Sequence, residues 1–292
     1  MARVSVPSGI EIEYEEFGTR DNPTVLLVSG FTSQLLGWDE GFCRELASRG
    51  RHVVRFDNRD VGLSTHLDGQ LVDVKAVRGA AFFGGDPVEP PYTLSDMAAD
   101  GLGLVDALGC EVVDVVGMSM GGMIVQTMAI DHPDRIRSVV SVMSTTSARD
   151  VGHPTPEALE RLLTLPPANR DEYIEASLGA KIWSSKRYFD PQRARKKAAA
   201  SFDRMFYPEG STRQYAAVIA SGDRTEALRS VKVPMLVIHG MDDTLIHPSG
   251  GEATASVVPG AKLLMLDDMG HDIPEPLWPA IAGAIVDFGD AV

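Results

Sequence analysis

Hydrophobic and polar positions alternate at the start of the chain. Val4 and Val6, then Ile10, Ile12 and Tyr14, recur at period two around Pro7, Ser8 and Gly9, the pattern of a β-hairpin. The period then disappears. Thr24–Val28 is an unbroken apolar and β-branched run ending in Ser29 and Gly30, as expected of a strand buried on both faces. A helix is predicted over Trp38–Ser48, closed by Gly50, and the next strand over His52–Phe56. Residues 62–92 read as irregular, with Gly84, Gly85, Asp86 and Pro87, then Pro90 and Pro91, marking loop. Thr93 and Asp96 form a capping-box pattern, and Leu94, Met97, Ala98, Leu102, Val105 and Leu108 follow on one helical face. Val112–Val116 is the next buried strand, followed by a helix over Met120–Asp131. Further strands are predicted at Arg137–Met143, Pro234–Ile238 and Ala261–Leu266, and a last helix carries Leu277, Ile281, Ile285 and Phe288. Strands alternating with helices at this spacing predict an α/β fold: a mostly parallel sheet covered by helices on both faces.

Residues 144–230 break the rhythm. They show helical patterns, no convincing buried strand, and eight of the 19 aromatic residues: Tyr173, Trp183, Tyr188, Phe189, Phe202, Phe206, Tyr207 and Tyr215. The chain therefore divides into a core made of 1–143 and 231–292 and an inserted helical cap at 144–230. The basic run from Arg193 to Lys197 reads as a solvated helix face.

Composition narrows the possible partners. The 292 residues, 44% hydrophobic and 23% charged, can bury a large core. A net charge of −14 without a basic tail opposes binding to nucleic acid or to anionic membranes. Only Cys43 and Cys110 are present, which excludes a disulfide framework or a zinc cage built on cysteine. The N-terminus lacks the apolar segment of a signal peptide, and no run of about 18 apolar residues occurs. A reduced, cytoplasmic protein is expected.

Gly117-Met118-Ser119-Met120-Gly121 matches G-x-S-x-G between a predicted strand and a predicted helix, the setting of a nucleophile elbow. A serine hydroxyl needs a base to take its proton, and the base needs a partner to hold its tautomer. Among seven histidines, His271 stands in the loop after the last strand, at the sheet edge that also carries Ser119. His247 is a rival. His52, His66, His132, His153 and His239 read as structural or surface residues. The acid belongs in the loop after Pro234–Ile238, where spacing leaves both Asp242 and Asp243 open.

The order serine, aspartate, histidine is that of α/β-hydrolases, and the chain resembles the aclacinomycin methylesterase branch of that superfamily. The likeness rests on Ser29-Gly30-Phe31, on Asp57-Asn58-Arg59-Asp60-Val61-Gly62-Leu63-Ser64, on Gly117–Gly122, on Gly240-Met241-Asp242-Asp243-Thr244-Leu245-Ile246 and on Gly270-His271. Many relatives have His-Gly where Ser29-Gly30 stands. The resemblance implies Ser119 as nucleophile, His271 as base and Asp243, rather than Asp242, as orienting acid. It also implies the backbone N–H groups of Phe31 and Met120 as oxyanion donors. The expected activity is hydrolysis of a small, apolar carboxylic ester, with no cofactor and no metal. Perhydrolysis, lactone opening and C–C bond hydrolysis use the same residues and stay open, as does a receptor that only binds its small molecule.

Overall fold

The computed structural model describes residues 1–83 and 89–292. Its centre is an eight-stranded sheet in the order β1-β2-β4-β3-β5-β6-β7-β8. The hairpin strands β1 (Ala2–Ser5) and β2 (Glu11–Phe17) pair antiparallel, and β2 continues antiparallel onto β4. All later pairs are parallel: β3 (Thr24–Val28), β4 (His52–Phe56), β5 (Val113–Met118), β6 (Ile136–Val142), β7 (Met235–Gly240) and β8 (Lys262–Leu266). The strands β3 and β4 are buried at every position, which accounts for the apolar run of β3, while the buried His52 and Arg55 of β4 are paired with Glu16 and Glu15.

Each face of the sheet has its own core. On one, α3 (Leu94–Ala107) and α4 (Met120–Asp131) pack Leu94, Met97, Leu104, Ile124 and Met128 against Leu26, Val54 and Val115. On the other, α1 (Glu40–Ser48) and α11 (Trp278–Asp290) place Phe42, Leu46, Ile281 and Ile285 against Val25, Leu27, Val116 and Val140. The Thr93–Asp96 capping box is present at the start of α3.

The ends of β5 to β8 shift from the sequence reading by one or two residues, and two helical regions differ from it as well. The helix α1 starts at Glu40, because Asp39 caps it by accepting from the Gly41 N–H at 2.9 Å, while Leu35–Gly37 forms a separate 3-10 turn ahead of Trp38. Residues 62–92 are not wholly irregular, since α2 spans Val74–Phe83. Asp73 Oδ1 accepts from the N–H groups of Lys75 and Ala76 and so caps this helix. Gly84, Gly85, Asp86 and Pro87 lie outside the described residues.

Between β6 and β7 the chain forms α5 (Pro156–Leu163), α6 (Arg170–Ala176), a 3-10 stretch over Ser177–Ile182, α7 (Pro191–Arg204), α8 (Gly210–Ser221) and α9 (Thr225–Leu228). After β7, α10 (Ser249–Val257) returns the chain to β8. Buried polar contacts tie α7 and α8 to the loops that follow β3 and β4. Arg213 is bidentate to Asp60 at 2.8 Å, Arg204 meets Asp57 at 2.7 Å, and Gln34 Nε2 donates to the carbonyls of Ser201 and Met205. No helix among the described residues is long and apolar enough to cross a membrane.

Candidate active site

The parallel strands deliver their following loops to one edge of the sheet. Gly30 and Phe31 follow β3, Ser119 follows β5, Asp243 follows β7 and His271 follows β8. At the elbow the backbone of Ser119 takes φ 56° and ψ −121°, a conformation L-residues seldom adopt outside tight functional turns. The neighbouring positions explain why it can. A Cβ on Gly117 would lie 2.0 Å from the Gly121 carbonyl oxygen, and one on Gly121 2.1 Å from that of Val28. Both must be glycine for strand and helix to approach this closely. The turn is held from outside by the Ser119 N–H donating to the Val142 carbonyl at 3.0 Å and by Ser144 Oγ donating to the Ser119 carbonyl at 2.8 Å.

His271 Nε2 lies 2.9 Å from Ser119 Oγ, and His271 Nδ1 lies 2.7 Å from Asp243 Oδ2. An ionised carboxylate only accepts, so the proton sits on Nδ1 and leaves the Nε2 lone pair facing the serine hydroxyl. The Asp243 side chain is fully buried. Its other oxygen accepts from the N–H groups of Leu245 and Ile246 at 2.8 and 2.9 Å. Burial alone would push this carboxyl up; the charge of His271 and the hydrogen bonds of His239 and His271 outweigh it and bring the value down to about 2. The group is therefore a carboxylate at any working pH. His271 is itself steadied through its backbone, whose N–H donates to the Trp183 carbonyl at 2.6 Å.

The other candidates fall elsewhere. Asp242 pairs with Lys186 at 2.7 Å, away from the imidazole. His247 is exposed, and its Nδ1 accepts the Ser249 N–H, so it caps the start of α10. His239 is buried, with Nε2 2.9 Å from the Ile246 carbonyl and 3.5 Å from Asp243 Oδ2. Phe31 adjoins Gly30, where a Cβ would stand 3.2 Å from that of Ser119. Met120 opens α4, and its N–H belongs to the unpaired donors of a first helical turn.

Two residues that sequence reasoning missed shape this edge. Gln214, fully buried on α8, accepts the Thr32 N–H at 2.9 Å and donates to the Arg59 carbonyl at 3.0 Å. It thereby fixes the residue after Phe31, whose φ is 56°. Lys197 was read as part of a solvated face, yet it lines the cavity with Arg193 of the same run. That run is amphipathic: Arg195 turns away to pair with Glu175, while Arg193 and Lys197, one turn apart, face inward. The cavity holds about 1160 Å³, with Ser119 and His271 in its wall and Trp183, Phe189, Phe206 and Tyr215 among its apolar surface. Among the described residues no group of histidine, cysteine or acidic side chains is arranged to hold a metal ion.

A family model described as the alpha/beta hydrolase fold matches residues 23–275. A rhodomycin D methylesterase of Streptomyces peucetius is 25% identical over 93% of this chain and 92% of its own length. A bifunctional esterase/perhydrolase of Acinetobacter calcoaceticus is 25% identical over 94% of each chain. Among solved structures, an enol-lactonase from Burkholderia xenovorans aligns at a TM-score of 0.73 and 24% identity, covering 98% of this chain and 99% of that one.

Proposed function

We propose, for a chain that belongs to the alpha/beta hydrolase family, that it hydrolyses carboxylic esters of small molecules with Ser119 as nucleophile, His271 as base and Asp243 as orienting acid. The observation that carries the reading is the unbroken line of hydrogen bonds from Asp243 Oδ2 through both imidazole nitrogens to Ser119 Oγ, at 2.7 and 2.9 Å. As Ser119 Oγ attacks the carbonyl, its proton passes to His271 Nε2, and Asp243 stabilises the imidazolium. The N–H groups of Phe31 and Met120 receive the oxyanion, and the amino end of α4 favours its charge. Collapse of the tetrahedral intermediate breaks the ester bond, and His271 returns the proton to the leaving alcohol. Water, activated by the same base, then frees the acid and Ser119. In this reading 1–143 and 231–292 carry the chemistry, and 144–230 is a cap that shapes the cavity.

A fluorophosphonate probe should label the protein once, at Ser119, and Ser119→Ala should lower turnover of aryl esters on the order of 10⁶-fold. Labelling at another serine, or near-normal turnover by the variant, would remove Ser119 from the role. Binding of an ester without multiple turnover by the wild type would favour a receptor.

A further inference from the structure

The cavity wall contains an ammonium group without a counter-ion. Lys197 projects from α7, and its Nζ donates to the Gly37 carbonyl at 2.8 Å. No carboxylate among the described residues comes within 4 Å of it, and the nearby acids are already engaged. Asp39 is paired with Arg193 at 2.8 Å, Arg193 also reaches Glu275 at 2.8 Å, and Asp272 accepts the Ser185 N–H at 2.8 Å. The charges that Lys197 feels are those of Asp39 and Asp272, which favour its cation, and of Arg193 and Arg55, which oppose it.

The side chain is accessible, yet densely surrounded by protein. It lines the cavity that Ser119 and His271 also line. Loss of hydration in these surroundings pulls the amine down to about 8. An ammonium has three donors, and the Gly37 carbonyl takes one. In a cavity whose other walls include Trp183, Phe189 and Phe206, the remaining donors have no acceptor among the described residues, and an incoming oxyanion would supply one.

We propose that Lys197 forms a subsite for a carboxylate on the substrate, so that the preferred ester is an acidic one, with an apolar body between the scissile carbonyl and the carboxylate. This deepens, and rests on, the assignment of Ser119 and His271 as the reacting pair. The substrate enters as a hemi-ester of a dicarboxylic acid or an equivalent carboxylate-bearing ester. Reaction at one end leaves the other anchored.

The test compares mono-4-nitrophenyl esters of dicarboxylic acids, from adipic to sebacic, with neutral 4-nitrophenyl esters of matched length. Wild-type protein should favour the acidic ester at one or two lengths. Lys197→Met should lower kcat/KM for that ester about 10–100-fold more than for its neutral match, the worth of one hydrogen bond to a charged group. In the wild type, KM for the acidic ester should rise as pH passes upward through about 8, where the amine loses its proton, and this rise should vanish in the variant. If neutral esters are preferred at every length, or if the variant loses both classes alike, Lys197 only anchors Gly37 and the proposal falls. Failure of the nucleophile assignment is separate, because it would be read from probe labelling of Ser119 and not from this ratio.

Discussion

Replacing Asp243 by Asn separates charge and tautomer from shape. Asn keeps an oxygen that can accept from Leu245 and Ile246, so the loop after β7 should retain its form. The second oxygen, 2.7 Å from His271 Nδ1, becomes an NH₂ donor. Two donors cannot share that contact, so the imidazole must carry its proton on Nε2 instead. That places an N–H, 2.9 Å away, against the Ser119 hydroxyl, where the proposed mechanism needs a lone pair. In the serine-protease triad the equivalent change lowers kcat about 10⁴-fold. Four decades correspond to about 5.5 kcal/mol of lost transition-state stabilisation. The control is Asp242→Asn, which removes a pair with a largely exposed Lys186 and should cost activity less than about fivefold. Both variants are assayed on one aryl ester, with kcat and KM separated and folding verified by near-UV circular dichroism. A loss below tenfold in folded Asp243→Asn, or a larger loss in Asp242→Asn, would refute the proposed role.

Further outcomes follow from the same contacts. Gln214→Leu should lower kcat about 10–100-fold with KM little changed, because the Thr32 N–H loses its acceptor and the loop carrying Phe31 loses its set position; a loss confined to KM would contradict this. Arg213→Met should cost about 3–5 kcal/mol in urea denaturation by stranding the buried Asp60 carboxylate, and adding Asp60→Asn should recover part of it. A cost under 1 kcal/mol would show that the pair contributes little. Cys43, whose thiol burial pushes up to about 12, should resist iodoacetamide at pH 8 until the protein unfolds, with peptide mapping as the readout.

Much of this molecule can be read from its sequence because its signals are local. The strand β3 announces itself as an apolar run since both of its faces are covered, and the glycines around Ser119 mark a turn that tolerates no side chains. The helix α2 was missed because Gly79 stands in its middle and a run of glycine and proline follows it, while its start is set by the Asp73 cap and it packs against α8. Gln214 and Lys197 left no trace for another reason. Their partners, Thr32 and Gly37, are far away along the chain, and neither a buried glutamine nor a cavity-facing lysine looks different in sequence from an exposed one. Spacing likewise left Asp242 and Asp243 open, and only the family resemblance favoured Asp243.

The contacts that join α7 and α8 to the loops after β3 and β4 bear on how molecules enter and leave. Swinging these helices away would separate Arg213 from Asp60 and Arg204 from Asp57, four side chains that are nearly or fully buried. Opening would hydrate all four charges at once, so its cost is the loss of both pairs' geometry and not the stranding of one buried charge. Leu165, 70% exposed, and the adjoining Pro166 and Pro167 line the same cavity from the α5–α6 connection, which carries neither ion pair. The two sides of the cavity are therefore held differently: α7 and α8 are tied by charge to the loop after β4, and the α5–α6 connection is not.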